Sequence, residues 1–458
     1  MAAEEPTPPL RPMTGGAVMG TASRFTVAIT GAATTIFVAR LLGPEGTGGF
    51  AIALTLVLLL TVACSLGIEH GIAYYVASGR WAPRDAMRVA LRVALLSGAA
   101  GAAMCVAARL AMPSAFGGLA VGSTVVAALA LPFALTWFYV SFVGLAIDRY
   151  EAYVLPPALQ SGSAMVLVIG LALIADLPGA VVGMTIAHVL VAIASVVWAR
   201  RRLPARGTQP QEPRQLRRAL SFGAKGYGAN ALAMLSTRVD LLVLSAAASA
   251  AAVGHYAIAI AVTAVLWLVP SALSDVLFPR IAALSASGDD EHRAFVEDKS
   301  LRHTVLLVLL ALPVMVGPLL LLVVPIYGPA FEPAIELALI LLPGIALTGV
   351  AGVLSSTIVG RGRPEYSLYT ALIVTPLTLT AYALLIPALD ARGAALAKSL
   401  SYTLTFALSV YFYRRVTGAG AIAQFVPTRV ELRELRSVAP QIRQWLIGMW
   451  RRARPDRA

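Results

Sequence analysis

Charge is what this chain of 458 residues has least of: Asp, Glu, Lys and Arg together make up 13% of it, about half the share of a soluble globular domain. A water-soluble fold of this length could hardly cover its surface with so few charges. Cysteine is almost absent, and the two present, Cys64 and Cys105, fall inside apolar runs with no spacing that suggests a metal site or a disulfide framework. Lysine is scarce too, since 33 of the 36 cations are arginine. No Walker-type lysine motif, no His-Glu-x-x-His and no extended soluble segment occurs. The glycines between Gly43 and Gly49 follow a helical run and not a strand, so a nucleotide-binding reading fails. These absences argue against an ATP-driven motor within the chain and against an enzyme. No cofactor is expected. His188 and His255 stand apart from any Cys or acidic neighbour, so no metal site is expected either.

What is there is apolar sequence, 58% of the chain, which makes lipid its natural solvent. A helix needs about 20 apolar residues to cross the hydrocarbon. Such runs fall at 15–39, 48–77, 89–111, 119–146, 154–175, 179–199, 222–247, 254–278, 301–324, 334–359, 367–387 and 392–413. Short breaks separate them, among them Gly43-Pro44-Glu45-Gly46, Asp176-Leu177-Pro178-Gly179 and Tyr327-Gly328-Pro329. The expected fold is therefore an all-α integral membrane protein of about twelve transmembrane helices. The first run is longer than a signal-peptide core and contains Arg24, so it reads as a retained helix. Pro132, Pro156, Pro157, Pro270, Pro313, Pro318, Pro343 and Pro376 lie inside spans and predict kinks or breaks.

The net charge of +13 raises the possibility of nucleic acid, and the placement of the cations decides against it. With the N-terminus inside, 30 of the 36 fall in alternate loops and the tail, three fall on the opposite side (Arg40, Arg109, Arg392) and three within spans. That asymmetry orients both termini toward the cytoplasm. The chain divides into a cytoplasmic N-terminus (1–14), a first lobe of helices 1–6 (15–199), a basic linker (200–221), a second lobe of helices 7–12 (222–413) and a basic amphipathic tail (414–458). The tail mixes Val430, Leu432, Leu435 and Val438 with Arg433, Arg436 and Arg443, a pattern suited to anionic inner-leaflet lipids.

Six spans per half make the halves parallel, as in parallel-repeat transporters. A shift of 206 residues aligns Gly48-Gly49-Phe50-Ala51-Ile52-Ala53 with Gly254-His255-Tyr256-Ala257-Ile258-Ala259, and places Ser65 on Ser271 and Glu69 on Asp275.

An ionisable side chain at bilayer depth costs about 2.5–3.5 kcal/mol on insertion scales and normally faces a polar interior. Arg24 shares a helical face with Gly20, Thr21, Ala28, Gly31 and Thr35, all small or polar, which suits a hydrated cavity. Arg238 follows Tyr227 and Asn230 along one face of the seventh helix. Asp240 lies about 200° around the same helix and needs another partner; a structural ion pair and a coupling role both fit it. Lys398, in the last span, either snorkels to the interface or joins Arg24 and Arg238 in a cationic chamber. Glu69 and Asp275 come late in their outside-to-inside helices, near the cytoplasmic mouth, as gate residues or as plain interfacial carboxylates. His70 adjoins Glu69 and could relay a proton.

Ala39-Arg40-Leu41-Leu42-Gly43-Pro44-Glu45-Gly46-Thr47-Gly48 resembles the polysaccharide flippases, the O-antigen and lipid-linked-oligosaccharide transporters of the multidrug/oligosaccharidyl-lipid/polysaccharide exporter superfamily. The resemblance continues through Ser65-Leu66-Gly67-Ile68-Glu69, Arg238-Val239-Asp240, Val253-Gly254-His255-Tyr256, Gly360-Arg361-Gly362-Arg363, Ile386-Pro387 and Gly393-Ala394-Ala395-Leu396-Ala397. It implies a two-lobed alternating-access flippase that carries an undecaprenyl-diphosphate-linked saccharide across the bacterial inner membrane, with Arg24 and Arg238 placed to meet the diphosphate. Glycosyltransferases or the polymerase of the same pathway are the implied protein partners. Two other readings stay open: a proton- or sodium-coupled small-molecule exporter of the same superfamily, and a non-transporting membrane scaffold for cell-wall enzymes.

Overall fold

The computed structural model describes residues 14–203, 214–418 and Glu431. Twelve α-helices follow one another: α1 (Thr14–Ser65), α2 (Ile68–Ala77), α3 (Pro83–Ala111), α4 (Val121–Leu129), α5 (Leu131–Ala146), α6 (Tyr150–Arg202), α7 (Arg214–Ala247), α8 (Ala250–Thr263), α9 (Val265–Ser287), α10 (Asp290–Tyr327), α11 (Pro333–Gly360) and α12 (Glu365–Thr417). Short 3₁₀ turns at Pro113–Phe116 and Pro329–Phe331 precede α4 and α11. No strand occurs among the described residues.

Three of the helices are too long to be single crossings. A straight 53-residue helix would run about 80 Å, far beyond the roughly 30 Å of hydrocarbon. Each is interrupted at one point. In α1 the break is Gly43, at φ 65 and ψ −171, a conformation open essentially to glycine, and Pro44 then restarts the helix with its pre-set φ. In α6 it is Asp176 (φ 47, ψ −135) and in α12 Asp390 (φ 50, ψ −132). The arms of α6 fold back on each other. A Cβ at Gly179 would sit 2.0 Å from the Leu171 carbonyl and one at Gly183 2.5 Å from that of Leu167, so glycine is what lets these arms meet. In α12 the return is marked by Thr378 and Ser401, whose hydroxyls are 2.6 Å apart.

With these arms counted separately, the crossings are 14–42, 44–77, 83–111, 121–146, 150–175 and 177–202, then 214–247, 250–287, 290–327, 333–360, 365–389 and 391–417. Over the described residues the chain is an all-α, multi-pass membrane protein of twelve crossing helices in two parallel six-helix repeats. The expected spans are each contained in, or overlap, one of these crossings. The helices run on past several of them, and α10 begins eleven residues before its apolar run.

The prolines are a different matter. Pro156, Pro157, Pro313, Pro318 and Pro343 lie inside α6, α10 and α11 with no residue of non-helical geometry beside them. Of those expected to kink or break helices, only Pro132 adjoins an interruption of helical geometry, at the second position of α5. The breaks fall instead at residues of positive φ: Gly43, Leu66, Gly67, Asp176 and Asp390. A proline removes one hydrogen bond but its own φ is helical, whereas a positive φ takes the chain out of the helical region altogether.

By compactness the chain forms two units. One comprises residues 1–258 with 326–331 and 386–391; the other comprises 259–325, 332–385 and 392–458. Within the first, the repeat shows itself directly. A Cβ at Gly48 would lie 1.9 Å from the Ala250 carbonyl, and one at Gly254 would lie 2.0 Å from the Pro44 carbonyl. The same shift of 206 residues relates Gly48 to Gly254 and Pro44 to Ala250, so the contact is reciprocal, as in an isologous two-fold interface.

Candidate functional site

In the first unit α1, α5 and α6 line an open cavity of about 500 Å³, with the exposed Arg24 on its wall. Its walls are Gly20, Ser23, Val27 and Ala28 from α1, Trp137, Phe138, Ser141 and Phe142 from α5, and Tyr153, Val154 and Pro157 from α6. Arg24 is the one charged residue among these described lining residues. The local sequence explains the placement. At a helical period, residues 20, 24, 27 and 28 share a face of α1, and 137, 138, 141 and 142 share a face of α5. The Ser23 hydroxyl donates to the Val154 carbonyl at 2.6 Å, and Thr30 and Ser161 share a hydrogen bond of 2.6 Å. These two ties hold the turn carrying Arg24 against α6.

The aromatic wall continues past the cavity. Phe142 meets Phe138 at 5.1 Å, Tyr153 at 5.6 Å and His70 at 5.6 Å between ring centroids, in edge-to-face geometry. Through His70 it leads to Glu69, whose carboxylate lies 3.9 Å from the His70 Nε2. Glu69 is 2% exposed. Its Oε1 accepts from the Ser65 hydroxyl at 3.4 Å, and its Oε2 is buried without a hydrogen-bond partner. The chain reverses at Leu66 and Gly67, both of positive φ, so Glu69 falls in the first turn of α2, where helix amide groups favour negative charge. Tyr139, fully buried on α5, donates to the Ser65 carbonyl at 3.0 Å and satisfies the end of α1 at that break. His70 is the nearest described nitrogen base to the Glu69 carboxylate, at 3.9 Å.

The other expected site residues fall as follows. Arg238 is exposed on α7. Asp240 is 0% exposed; it accepts from the Tyr256 hydroxyl at 2.7 Å and from the Leu241 amide at 2.9 Å, which ties α7 to α8. Asp275 is exposed on α9, and Ser271, the counterpart of Ser65, bonds its own helix at the Leu268 carbonyl. Lys398 is 4% exposed, with its ammonium 6.0 Å from the Tyr402 ring centroid, so in this conformation it packs inside the second unit and does not snorkel. The side chains of Tyr227 and Asn230 lie outside the described residues.

Two groups escaped the sequence reading. The Trp137, Phe138, Phe142 and Tyr153 wall is one; its signal was an aromatic cluster in a chain with 7% aromatics overall. The other is a buried ion pair in the second unit. Arg361 donates through Nε and Nη2 to both oxygens of Glu297, the first at 2.8 Å. Arg293 approaches the same carboxylate at 3.8 Å. Glu297 is 3% exposed, and its hydrogen bonds hold the Arg361 guanidinium above its ordinary pKa.

Solved structures of other proteins share this fold. An inward closed conformation of the lipid II flippase MurJ is matched with a TM-score of 0.73 over 89% of each chain at 13% identity. An inward-facing multidrug resistance MATE family transporter of the MOP superfamily is matched with a TM-score of 0.60, over 86% of this chain and 96% of that one, at 17% identity. A MOP superfamily transporter from Pyrococcus furiosus, described as having a binding pocket of reversed polarity, is matched at 0.55 over 89% and 95% of the chains at 14% identity. This chain therefore has the fold shared by MurJ and MATE transporters. Residues 37–336 match the model of the polysaccharide biosynthesis protein family, and the chain belongs to that family. Among curated proteins no sequence matches it.

Proposed function

We propose that this protein is a flippase that moves an undecaprenyl-diphosphate-linked saccharide across the bacterial cytoplasmic membrane for cell-surface polysaccharide synthesis, with both termini in the cytoplasm. The observation that carries the reading is the Arg24 cavity. A lipid-linked glycan presents a diphosphate beside the apolar faces of sugar rings. A guanidinium pairs with phosphate oxygens through fixed, parallel N–H donors. Aromatic rings with a polar handle offer flat apolar faces together with hydrogen bonding, and Tyr153, Ser23 and Ser141 supply the polar edges. Family membership agrees with a glycan substrate, and the charge asymmetry of the loops supports the orientation. Arg238 and Lys398 are proposed as further cations of the pathway, with Tyr227 and Asn230 beside Arg238. Glu69 and Asp275 are proposed as gate or coupling residues, and glycosyltransferases or the polymerase of the same pathway as partners.

The test is export in cells that depend on this gene. A stably inserted Arg24→Ala variant is expected to accumulate lipid-linked glycan on the inner leaflet, and Arg24→Lys to recover part of the export. Normal export by Arg24→Ala would sink the assignment.

The buried, unpartnered oxygen of Glu69 favours one second reading, a proton- or sodium-coupled exporter of the same superfamily. Growth of expressing and non-expressing cells in cationic dyes separates the two: dye resistance without any glycan defect would support the exporter.

A further inference from the structure

At the end of α12, in the second unit, a shallow pocket of about 670 Å³ is lined by Ala407, Val410, Tyr411, Arg414 and Arg415. Its polarity changes along the helix within two turns, from alkyl at residue 407 to cationic at residue 415. The first arm of the α12 hairpin brings a second set of rings beside it. Tyr366 stacks on Phe412 at 4.8 Å between centroids, Tyr369 lies 5.9 Å from Tyr366, and Tyr411 lies 5.3 Å from Phe412. The Arg415 Nη1 donates to the Tyr411 hydroxyl at 3.4 Å. Tyr411 and Tyr369 are exposed, as are Leu368 and Leu372 one turn farther along the other arm. The nearby acid in sequence, Glu365, is engaged by Arg363 at 3.4 Å. The described residue of the basic tail, Glu431, is engaged by Arg302 of α10 at 3.7 Å.

We propose that this patch is a binding site for one anionic phospholipid of the membrane, with its phosphate on Arg414 and Arg415 and an acyl chain along Val410 and Ala407. Each part matches that occupant. Tyrosines gather at headgroup depth because one end of the ring is apolar and the other wet. Two adjacent arginines present several donors to a phosphodiester. The charge favours an anionic over a zwitterionic headgroup. The alkyl floor continues in the direction an acyl chain must take from that phosphate. Nothing in this proposal depends on which substrate the Arg24 cavity carries.

The experiment uses the full chain in nanodiscs of equal phosphatidylglycerol and phosphatidylcholine, released into native mass spectrometry. The wild-type protein is expected to retain one phosphatidylglycerol in preference to phosphatidylcholine. An Arg414→Ala/Arg415→Ala variant is expected to lose that preference by roughly 30-fold, the affinity two interfacial cations supply. Tyr411→Phe should lose a smaller factor, about threefold. An Arg451→Ala/Arg452→Ala variant removes the same charge from the tail and should retain the lipid. An unchanged ratio in the Arg414/Arg415 variant overturns the proposal. So does an equal loss in the tail variant, which would mark a diffuse electrostatic effect, and so does displacement of the lipid by millimolar inorganic phosphate. A melting temperature for each variant, read by intrinsic fluorescence, verifies that it is folded; if the double alanine variant unfolds, Arg414→Gln/Arg415→Gln takes its place under the same criteria.

Discussion

The two six-helix halves repeat their backbone far more faithfully than their chemistry. Helices α6 and α12 are both 53 residues long, and each turns at an aspartate whose dihedral angles agree within a few degrees. A 3₁₀ turn stands before α4 and before α11 at matching places. The side chains that carry charge have diverged. Glu69 is buried on a ten-residue helix behind a two-residue reversal, whereas Asp275, at the same repeat position, is exposed within the 23-residue α9. The first half holds a cationic, aromatic-walled cavity; the second holds a bidentate Glu297–Arg361 pair. The hairpin turns of α6 and α12 were kept in both copies, whereas the second crossing of each half is interrupted at a different place. Charged side chains, once each copy had its own surroundings, were free to specialise.

That comparison can be broken at several points. The largest expected effect is at the buried pair. Arg361→Ala should cost about 3–4 kcal/mol by leaving Glu297 buried with one poor partner, read as a lower melting temperature in detergent. Arg361→Ala/Glu297→Ala should recover part of it, and equal losses for the single and double variants would show that the pair is not the cause. Next comes the symmetric glycine contact: Gly48→Ala and Gly254→Ala should each cost about 2–3 kcal/mol by overpacking, while Gly31→Ala, with open space around it, should be close to neutral. If either buried glycine accepts alanine freely, the reciprocal contact is looser than described.

The acids sharpen the contrast between halves. Glu69→Gln should reduce transport roughly tenfold or more, and Asp275→Asn, at an exposed carboxylate, by a smaller factor; equal effects in a transport assay would return both acids to one shared role. The smallest effect concerns what the halves have in common. Asp176→Gly and Asp390→Gly should each be neutral or stabilising by up to about 1 kcal/mol, since glycine takes positive φ without strain. Opposite signs at the two sites would mean that the matching dihedral angles hide different environments.

The spans were legible because lipid imposes one strict rule, a run of about 20 apolar residues per crossing, and Asp176-Leu177-Pro178-Gly179 announced its turn by composition. The turn at Asp390 was harder to see, because only Pro387 and Gly393 flank it. Arg24 stood out as a charge among small residues, and its cavity followed. The aromatic wall did not, because Trp137, Phe138 and Phe142 in an apolar run read equally well as core. Glu297 and Arg361 were hidden for the opposite reason: they lie beyond the apolar runs, where polar residues are expected to be solvated, and only the extension of α10 before its span buries them. Of the prolines expected to kink or break their helices, only Pro132 stands at an interruption of helical geometry, because a proline costs one hydrogen bond and still accepts helical φ.

The reciprocal fit of Gly48 and Gly254 has a historical side. If one six-helix chain once paired with its own copy, this contact was a homodimer seam in which a single codon served both faces. A methyl group gained there would have been met twice, once in each direction, so that drift at this position carried a doubled penalty. Fusion into one reading frame separated the two codons, and each can now change alone while the other holds the seam.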